Sequence, residues 1–443
     1  MAKAKSKKIM LEDAIVPVDE QPYQIPENWC WTFLSNVADW GSGGTPSRKN
    51  PDYYGGYIPW IKTGELEDGY IFDSEEKITE DAVAHSSAKL FPIDSVLIAM
   101  YGATIGKTAI LGIPATTNQA CACARCRDVL NNKYLFYYLR SQKDTFIAKG
   151  KGGAQPNISQ DIIRNHMIPL PPLVEQRRIV EQIESLFSKL DEAKEKAQEV
   201  IDGYEARSAA VYNDAFSGRL TAQWRKDNYK ENKWETKRFD EVADIKSNLV
   251  EPSNYLEFPH IAPDNIEKRT GILLDYHTIA EDGVKSGKHR FYAGQILYSK
   301  IRPYLSKVVM VDFDGLCSAD MYPIEAKENT KYLLYYMLSD MFLEQASSAG
   351  SRSVLPKINQ KELSAIKVRI TSAEEQEEVV RILDYILPMM QQVRDKAIQV
   401  VDNIDIMKKS ILAKAFRGEL GTNIPEDEPA MELLKIILDK GEC

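Results

Sequence analysis

Apolar or small residues recur in alternating steps of three and four at Ile183, Leu186, Leu190, Ala193, Ala197, Val200 and Tyr204. That spacing is the heptad seam of a coiled coil. The same phase returns 200 residues later at Leu383, Ile386, Met390, Val393, Ala397, Val400 and Ile404. It continues through Val211 and Ala215, and through Ile411 and Ala415. Glu, Lys, Asp and Gln fill the positions between and make a solvated face. The pattern predicts two helices of roughly 40 residues, each about 60 Å long. Pro171 and Pro172 mark the first start, and Gly218 and Gly418 mark the ends. Pro388 lies inside the second pattern and is expected to kink that helix or delay its regular part.

The helices belong to a larger repeat. Glu-Gln-Arg-Arg-Ile-Val at 175–180 is matched by Glu-Gln-Glu-Glu-Val-Val at 375–380. Phe216-Ser-Gly-Arg-Leu220 is matched by Phe416-Arg-Gly-Glu-Leu420, and Lys133-Tyr-Leu-Phe-Tyr-Tyr138 by Lys331-Tyr-Leu-Leu-Tyr-Tyr336. Val37-Ala-Asp39 is matched by Val242-Ala-Asp244. Four matches in one order at nearly one offset describe a domain followed by a long helix, used twice. If domain and helix join alike in both halves, the helices form an antiparallel pair about a pseudo-twofold axis.

Between the helices the pattern changes. Val96–Tyr101, Gln295–Ser299 and Ser306–Phe313 read as buried strands. Each globular half also carries one clear helix, with Tyr134, Tyr137 and Tyr138 or Tyr332, Tyr335 and Tyr336 along it. An aromatic stripe at helical spacing is expected to be core. The fold class is therefore α+β: two mixed α/β domains separated by two long helices in an antiparallel coiled coil. The divisions are an extension at 1–28, a first domain at 29–172, a central helix at 173–222, a second domain at 223–374, a C-terminal helix at 375–420 and an acidic tail at 421–443.

Composition narrows the class. The 443 residues are 44% hydrophobic and 27% charged, which is core-forming material. A net charge of −9 excludes a wholly basic DNA-coating protein, so any nucleic-acid contact must use local patches. No apolar run approaches the ~20 residues of a membrane span. The basic start, Met1–Lys8, leads into acidic Leu11–Glu20, so no signal peptide is expected. Six scattered cysteines fit a reducing, cytoplasmic setting.

Several loops combine cations, hydroxyls and amides suited to phosphates or base edges. One offers Thr45, Ser47, Arg48 and Lys49, with Lys62 following Trp60. After the strand ending at Tyr101 come Thr104 and Lys107, and the corresponding place in the second half holds Lys300, Arg302, Tyr304 and Lys307. The last pair of loops supplies Gln155 and Asn157 in one half, Arg352 and Lys357 in the other. Recurrence after equivalent strands marks these as working surfaces.

Catalytic motifs fail. Gly102-Ala-Thr-Ile-Gly106-Lys107-Thr108 is one residue short of a nucleotide-binding phosphate loop. Cys121, Cys123 and Cys126 lack a fourth ligand at a familiar zinc spacing and read as small buried thiols. Pro263-Asp-Asn-Ile-Glu-Lys268 is too compressed for a nuclease cluster, and Pro169-Leu-Pro-Pro-Leu173 lacks the acid or amide and the aromatic of an amino-methyltransferase loop. The histidines at 85, 166, 260, 277 and 289 form no pair at metal or triad spacing. No enzyme activity is expected of this chain.

The order of motifs resembles the specificity subunit of type I restriction–modification enzymes. The carrying residues are Ile25-Pro-Glu-Asn-Trp29, the Gly-Gly-Thr-Pro-Ser47 loop, Pro169–Val180, Ala215–Thr221 with Trp224, and Ala415–Leu420 before an acidic segment. They span nearly the whole chain. Ile370-Thr-Ser-Ala-Glu374 departs from the proline-rich helix entry of the first half, which puts the start of the second helix in question.

The resemblance implies two target-recognition domains, each reading half of a bipartite site in double-stranded DNA, with the helices as spacer. It implies two methylation subunits as partners, which bring S-adenosylmethionine and flip the target adenine. Restriction subunits, with ATP and Mg, join for cleavage. No cofactor is expected in this chain and no membrane partner. The half-sites are expected about one helical turn apart, roughly 34 Å centre to centre. They are expected to differ in sequence, because the variable loops differ. Two other classes compete: a coiled-coil adaptor that joins proteins without touching DNA, and a stand-alone methyltransferase or nuclease.

Overall fold

A computed structural model describes residues 10–150, 156–231, 233–349 and 356–439. The chain divides into two compact units. One comprises Met1–Glu195 with Val400–Cys443, and the other Lys196–Gln399. Each unit thus holds one globular domain, the start of one long helix and the end of the other, which is the antiparallel exchange that the duplicated seam predicts.

Both domains are closed the same way. In the first unit, strand Cys30–Phe33 pairs antiparallel with Met167–Leu170, which runs directly into the helix Leu173–Asp202. In the second, Glu235–Arg238 pairs with Lys367–Ile370, which runs into Ala373–Ala415. The entry and exit of each domain therefore lie side by side.

Inside, each domain has two further sheets. In the first unit the strand order is Ala38–Ser42, Cys121–Cys126, Val96–Ala99, Thr108–Leu111, Gly69–Ile71. The other sheet runs Lys77–Ile78, Tyr54–Ile61, Ala115–Thr117, Leu90–Phe91. The second unit repeats the pattern with Ala243–Ile245, Met321–Ala326, Ile296–Ser299, Val308–Met310. Its other sheet runs Leu249–Val250, Lys288–Phe291, Gly315–Cys317, Pro259–Ile261, His277–Thr278. Val96–Ala99 and Ile296–Ser299 are buried throughout, as expected of apolar runs in central strands.

The tyrosine stripes lie in the core, on helices Asn132–Ser141 and Thr330–Leu338. Each receives a phenylalanine from the helix that began in the other half. Phe416 sits edge-on to Tyr134 and Tyr138, with ring centroids 5.2 and 5.1 Å away. Phe216 sits likewise on Tyr332 and Tyr336 at 5.3 and 5.0 Å. Gly218 and Gly418 end the two helices at positive φ, +80° and +75°, where a side chain would be strained.

Four expectations need correction. The first helix is not continuous over 40 residues. It is interrupted at Gly203 between Leu173–Asp202 and Tyr204–Phe216, although Gly203 keeps right-handed angles and hydrogen bonds to Glu199 and Arg207. The second runs for 43 residues with Pro388 inside it, so its regular part is not delayed to beyond the proline, since losing one N–H leaves the neighbouring turns bonded. It starts at Ala373, 200 residues after Leu173, and Ser372 Oγ accepts from Glu375 N–H at 3.4 Å, capping the end that lacks the paired prolines. The seam is also narrower than its spacing suggests. Of its positions Val393 and Val400 are 51% and 39% exposed, while Ala397 and Ile404 are buried.

The segment read as an acidic tail contains a helix, Ala430–Asp439, whose Ala430, Leu434, Ile437 and Leu438 join the first unit's core. Its acids lie around an apolar stripe that the composition hid.

Candidate nucleic-acid interface

The two helix starts fix the frame on which the candidate loops sit. Glu175-Gln176 and Glu375-Gln376 are buried in both units. Gln176 bonds Asn131 N–H, Val129 C=O and Pro171 C=O, tying helix, tyrosine helix and final strand together. Gln376 repeats this on Asn329 N–H and Thr371 C=O. Glu175 accepts from Thr422 and Arg178, and Glu375 from Thr221, Thr371, Arg225 and Trp234. Burial raises the Glu175 pKa, and its two donors do not offset that. Burial acts on Glu375 in the same direction, but its four donors outweigh it and hold the carboxyl below its ordinary value.

Two loops that are distant in sequence meet in each domain. Tyr101 forms an isolated antiparallel bridge with Asn157, and Ile301 with Lys357, 200 residues on. Gly102 N–H donates to Pro156 C=O at 2.9 Å, and Arg302 N–H to Pro356 C=O at 2.8 Å. The structure therefore brings Tyr101, Thr104 and Asn157 together, and Lys300, Arg302, Tyr304 and Lys357 together. Thr104 Oγ1 donates to Tyr101 C=O, while Tyr101 and Tyr304 are 44% and 49% exposed. Arg302 is exposed and its backbone, next to the bridge, is at φ +47°. Gln155 and Arg352 lie outside the described residues.

The cations divide into engaged and open. Lys300 and Lys357 share Asp320 at 3.9 and 3.0 Å, and Lys307 donates to Pro263 C=O at 2.7 Å with Asp264 at 3.6 Å. Among the described residues Lys49, Lys107 and Arg302 have no carboxylate partner.

The first-half loop is a separate cluster. Arg48 is bidentate to Glu76 at 2.7 Å for both bonds, and its guanidinium lies 4.2 Å from the Tyr54 ring centroid and 5.3 Å from that of Trp60. The Arg48 hydrogen bonds hold the Glu76 carboxyl down at about 2. Lys62 reaches Glu75 and Glu76 at 3.2 and 3.5 Å. Thr45 bonds Gln119, and Ser47 and Lys49 are exposed.

Sequence reading missed another group. Arg290 lies over three rings, Tyr292 at 4.8 Å, Tyr255 at 5.4 Å and Phe258 at 6.0 Å. The mixture of His, Arg, Phe and Tyr at 289–292 was its only local signal. Two histidines also meet in the fold without any sequence spacing to announce it. His260 and His277 are cross-strand partners, and both bond Asp282, at 2.7 and 3.2 Å. His260 first, then His277, holds Asp282 below the usual carboxylate range against the effect of burial. No sequence spacing announces a pair that a strand register creates.

Cys121 and Cys123 are buried in their strand, and burial pushes the Cys123 thiol up to about 12. Among the described residues no cluster of three or more His, Cys, Asp or Glu could hold a metal, and no helix is long and apolar enough to cross a membrane.

Known proteins share this architecture. A family model described as the type I restriction modification DNA specificity domain matches residues 26–201 and again 231–400. The type I restriction enzyme EcoDI specificity subunit of Escherichia coli is 38% identical over 323 residues, 68% of this chain and 73% of that protein. The MjaIX specificity subunit of Methanocaldococcus jannaschii is 25% identical over 428 residues, covering 90% and 94%. Among solved structures, the HsdS subunit from Thermoanaerobacter tengcongensis shares the fold with a TM-score of 0.66 at 20% identity, over 91% of this chain and all of that one. The doubled family match covers both domains and both helix starts, and the chain belongs to the type I restriction–modification DNA specificity family.

Proposed function

We propose that this chain is the DNA specificity subunit of a type I restriction–modification complex, in which each domain reads one half of an asymmetric bipartite site. The observation that carries this is one frame used twice under different surfaces. The buried Glu-Gln pair, the tyrosine helix and the phenylalanine plug recur, while the loops and sheet faces they support differ. Arg302, Tyr304 and Lys357 in one domain, with Tyr101, Thr104 and Asn157 in the other, are the proposed contacts at the paired loops. Lys49 and Lys107 add cations without a carboxylate partner among the described residues.

The chain works with DNA and with other subunits of its system. Two methylation subunits dock on the helices, whose second member exposes Tyr385, Met389, Val393 and Met407 along one side. Those subunits hold S-adenosylmethionine, restriction subunits bring ATP and Mg, and this chain does no chemistry itself. The setting is the cytoplasm. The coiled-coil adaptor loses its ground, because the family match falls on the domains as well as on the helices.

Exchange of residues 30–165 for those of a relative, assembled with the methylation subunits, tests the reading. Mapping of methylated adenines should show one half-site changed and the other kept. A change in both, or one continuous palindrome, overturns it. Lengthening a helix by one turn should alter the permitted gap, and an unchanged gap removes the spacer role.

A further inference from the structure

The geometry points to Arg290 as the residue by which the second domain reads a guanine, an inference that rests on the DNA-specificity reading above. It begins with a row of side chains across one sheet. Arg290 is opposite Leu316, which is opposite His260, which is opposite His277. Asn248 extends the row at the other edge, since Leu249 pairs with His289 and Arg290 N–H donates to Asn248 C=O at 3.2 Å. Cross-strand partners share a face, so Asn248, Arg290, His260 and His277 lie on one face, with the fully buried Leu316 between Arg290 and His260.

His260 and His277 share Asp282, but other polar atoms of the row are unsatisfied. Ten buried side-chain polar atoms lack a hydrogen-bond partner among the described residues, and three lie here: Asn248 Oδ1, His260 Nε2 and Arg290 Nε. Buried polar atoms are normally paired, so these orphans set the row apart, but each is itself covered, and only the two Nη groups of Arg290, which are not among the buried atoms, can meet an outside molecule.

The first domain shows what the same row is like when closed. Leu90 is opposite Thr116, which is opposite Trp60. Thr116 Oγ1 donates to Pro59 C=O at 2.8 Å and Trp60 Nε1 to Gly44 C=O at 3.0 Å. The arginine above Trp60, Arg48, has both prongs filled by Glu76. Arg290 takes the position of Leu90, and its guanidinium has no carboxylate and no hydrogen-bond partner among the described residues.

Three rings flank the Arg290 guanidinium, their centroids 4.8–6.0 Å from Cζ, and its Nε is buried. What remains is a fixed fork, and a planar pair of acceptors is its complement. Guanine O6 and N7 form that pair in the major groove. A phosphate would accept from a mobile cation equally well and needs no ring-built shelf, which favours the base edge.

The test uses the assembled methyltransferase with wild-type, R290K and R290A chains. The 30–165 exchange first assigns the half-sites: the half that survives it belongs to the second domain. If neither half follows the exchange, the specificity reading fails before Arg290 is tested. Within the surviving half, one G·C pair should be discriminated by the wild type. Both variants should relax that position by roughly 10- to 100-fold in relative methylation, leaving the other half-site unchanged. R290K keeps the charge over the rings, and so covers the case in which R290A misfolds. A surviving half without G·C, unchanged discrimination in R290K, or an equal loss on all sequences with a shallower salt dependence would overturn the assignment, the last by marking a phosphate contact.

Discussion

Where the tyrosine helix meets a long helix, the two units solve one packing problem differently. In the first, Phe187 fills the junction, with the Arg140 guanidinium 5.6 Å and Lys408 Nζ 5.1 Å from its ring centroid. The second unit has Leu387, Leu338 and Ser208 at the matching positions, and a cleft of about 450 Å³ opens there. Tyr204 and Arg394 remain in contact beside it, with the guanidinium 4.6 Å from the ring. Yet the neighbouring ion pair is kept: Lys133 with Glu184 at 2.7 Å, and Lys331 with Asp384 at 2.8 Å. A duplicated frame tolerates loss of packing beside a helix pair, but both copies retain the groups that set where the helix leaves the domain.

The largest break in this comparison is at the plugs. Phe416→Ala should destabilise the first unit by about 3–5 kcal/mol, and Phe216→Ala the second by as much, because each ring is buried between two tyrosines. Hydrogen exchange resolves them: F416A should speed exchange in residues 10–195, far from its own position in sequence, and F216A in 233–399.

Next come the buried glutamates. Glu375→Gln should cost about 2–4 kcal/mol at pH 7, since it leaves the half-buried Arg225 against a neutral group, whereas Glu175→Gln should cost under about 1 kcal/mol. Their pH dependences should oppose. The Glu375 pKa is lowered in the fold, so its contribution is present above the unfolded value and is lost as pH falls through the folded one. The Glu175 pKa is raised, so its charge costs stability at neutral pH, and the cost disappears as pH falls through the folded value toward the unfolded one. Urea denaturation from pH 7 to pH 3 checks both signs.

Smaller changes sharpen the contrast. Leu387→Phe restores the ring of the first unit and should raise the second unit's melting stability by about 0.5–1 kcal/mol. The same substitution would lower it if the cleft already closes in solution. Gly203→Ala should add about 0.5 kcal/mol, because the backbone there is already right-handed and the obstructing group is the movable end of Arg207.

Much of this was readable without coordinates. The 200-residue offset, both helices, the tyrosine core and the buried strands follow from periodicity, since a repeated pattern of burial leaves a repeated pattern of residues. Resemblance to the family rested on the same motifs. The paired loops at Tyr101 with Asn157 and at Arg302 with Lys357 were visible only as separate loops in chain order, and their meeting is a tertiary event.

Sequence alone therefore determined the frame: a domain and a helix, made twice, with aromatic residues inside. Tertiary structure decided which polar groups are spent on one another and which stay open. Arg48 and Arg290 are both arginines beside aromatics, and only folding brings Glu76 to the first and, among the described residues, no acid to the second. The reason is physical. Burial follows local periodicity, whereas a charge is neutralised by whatever the strand register places beside it, and register joins residues that lie tens of positions apart.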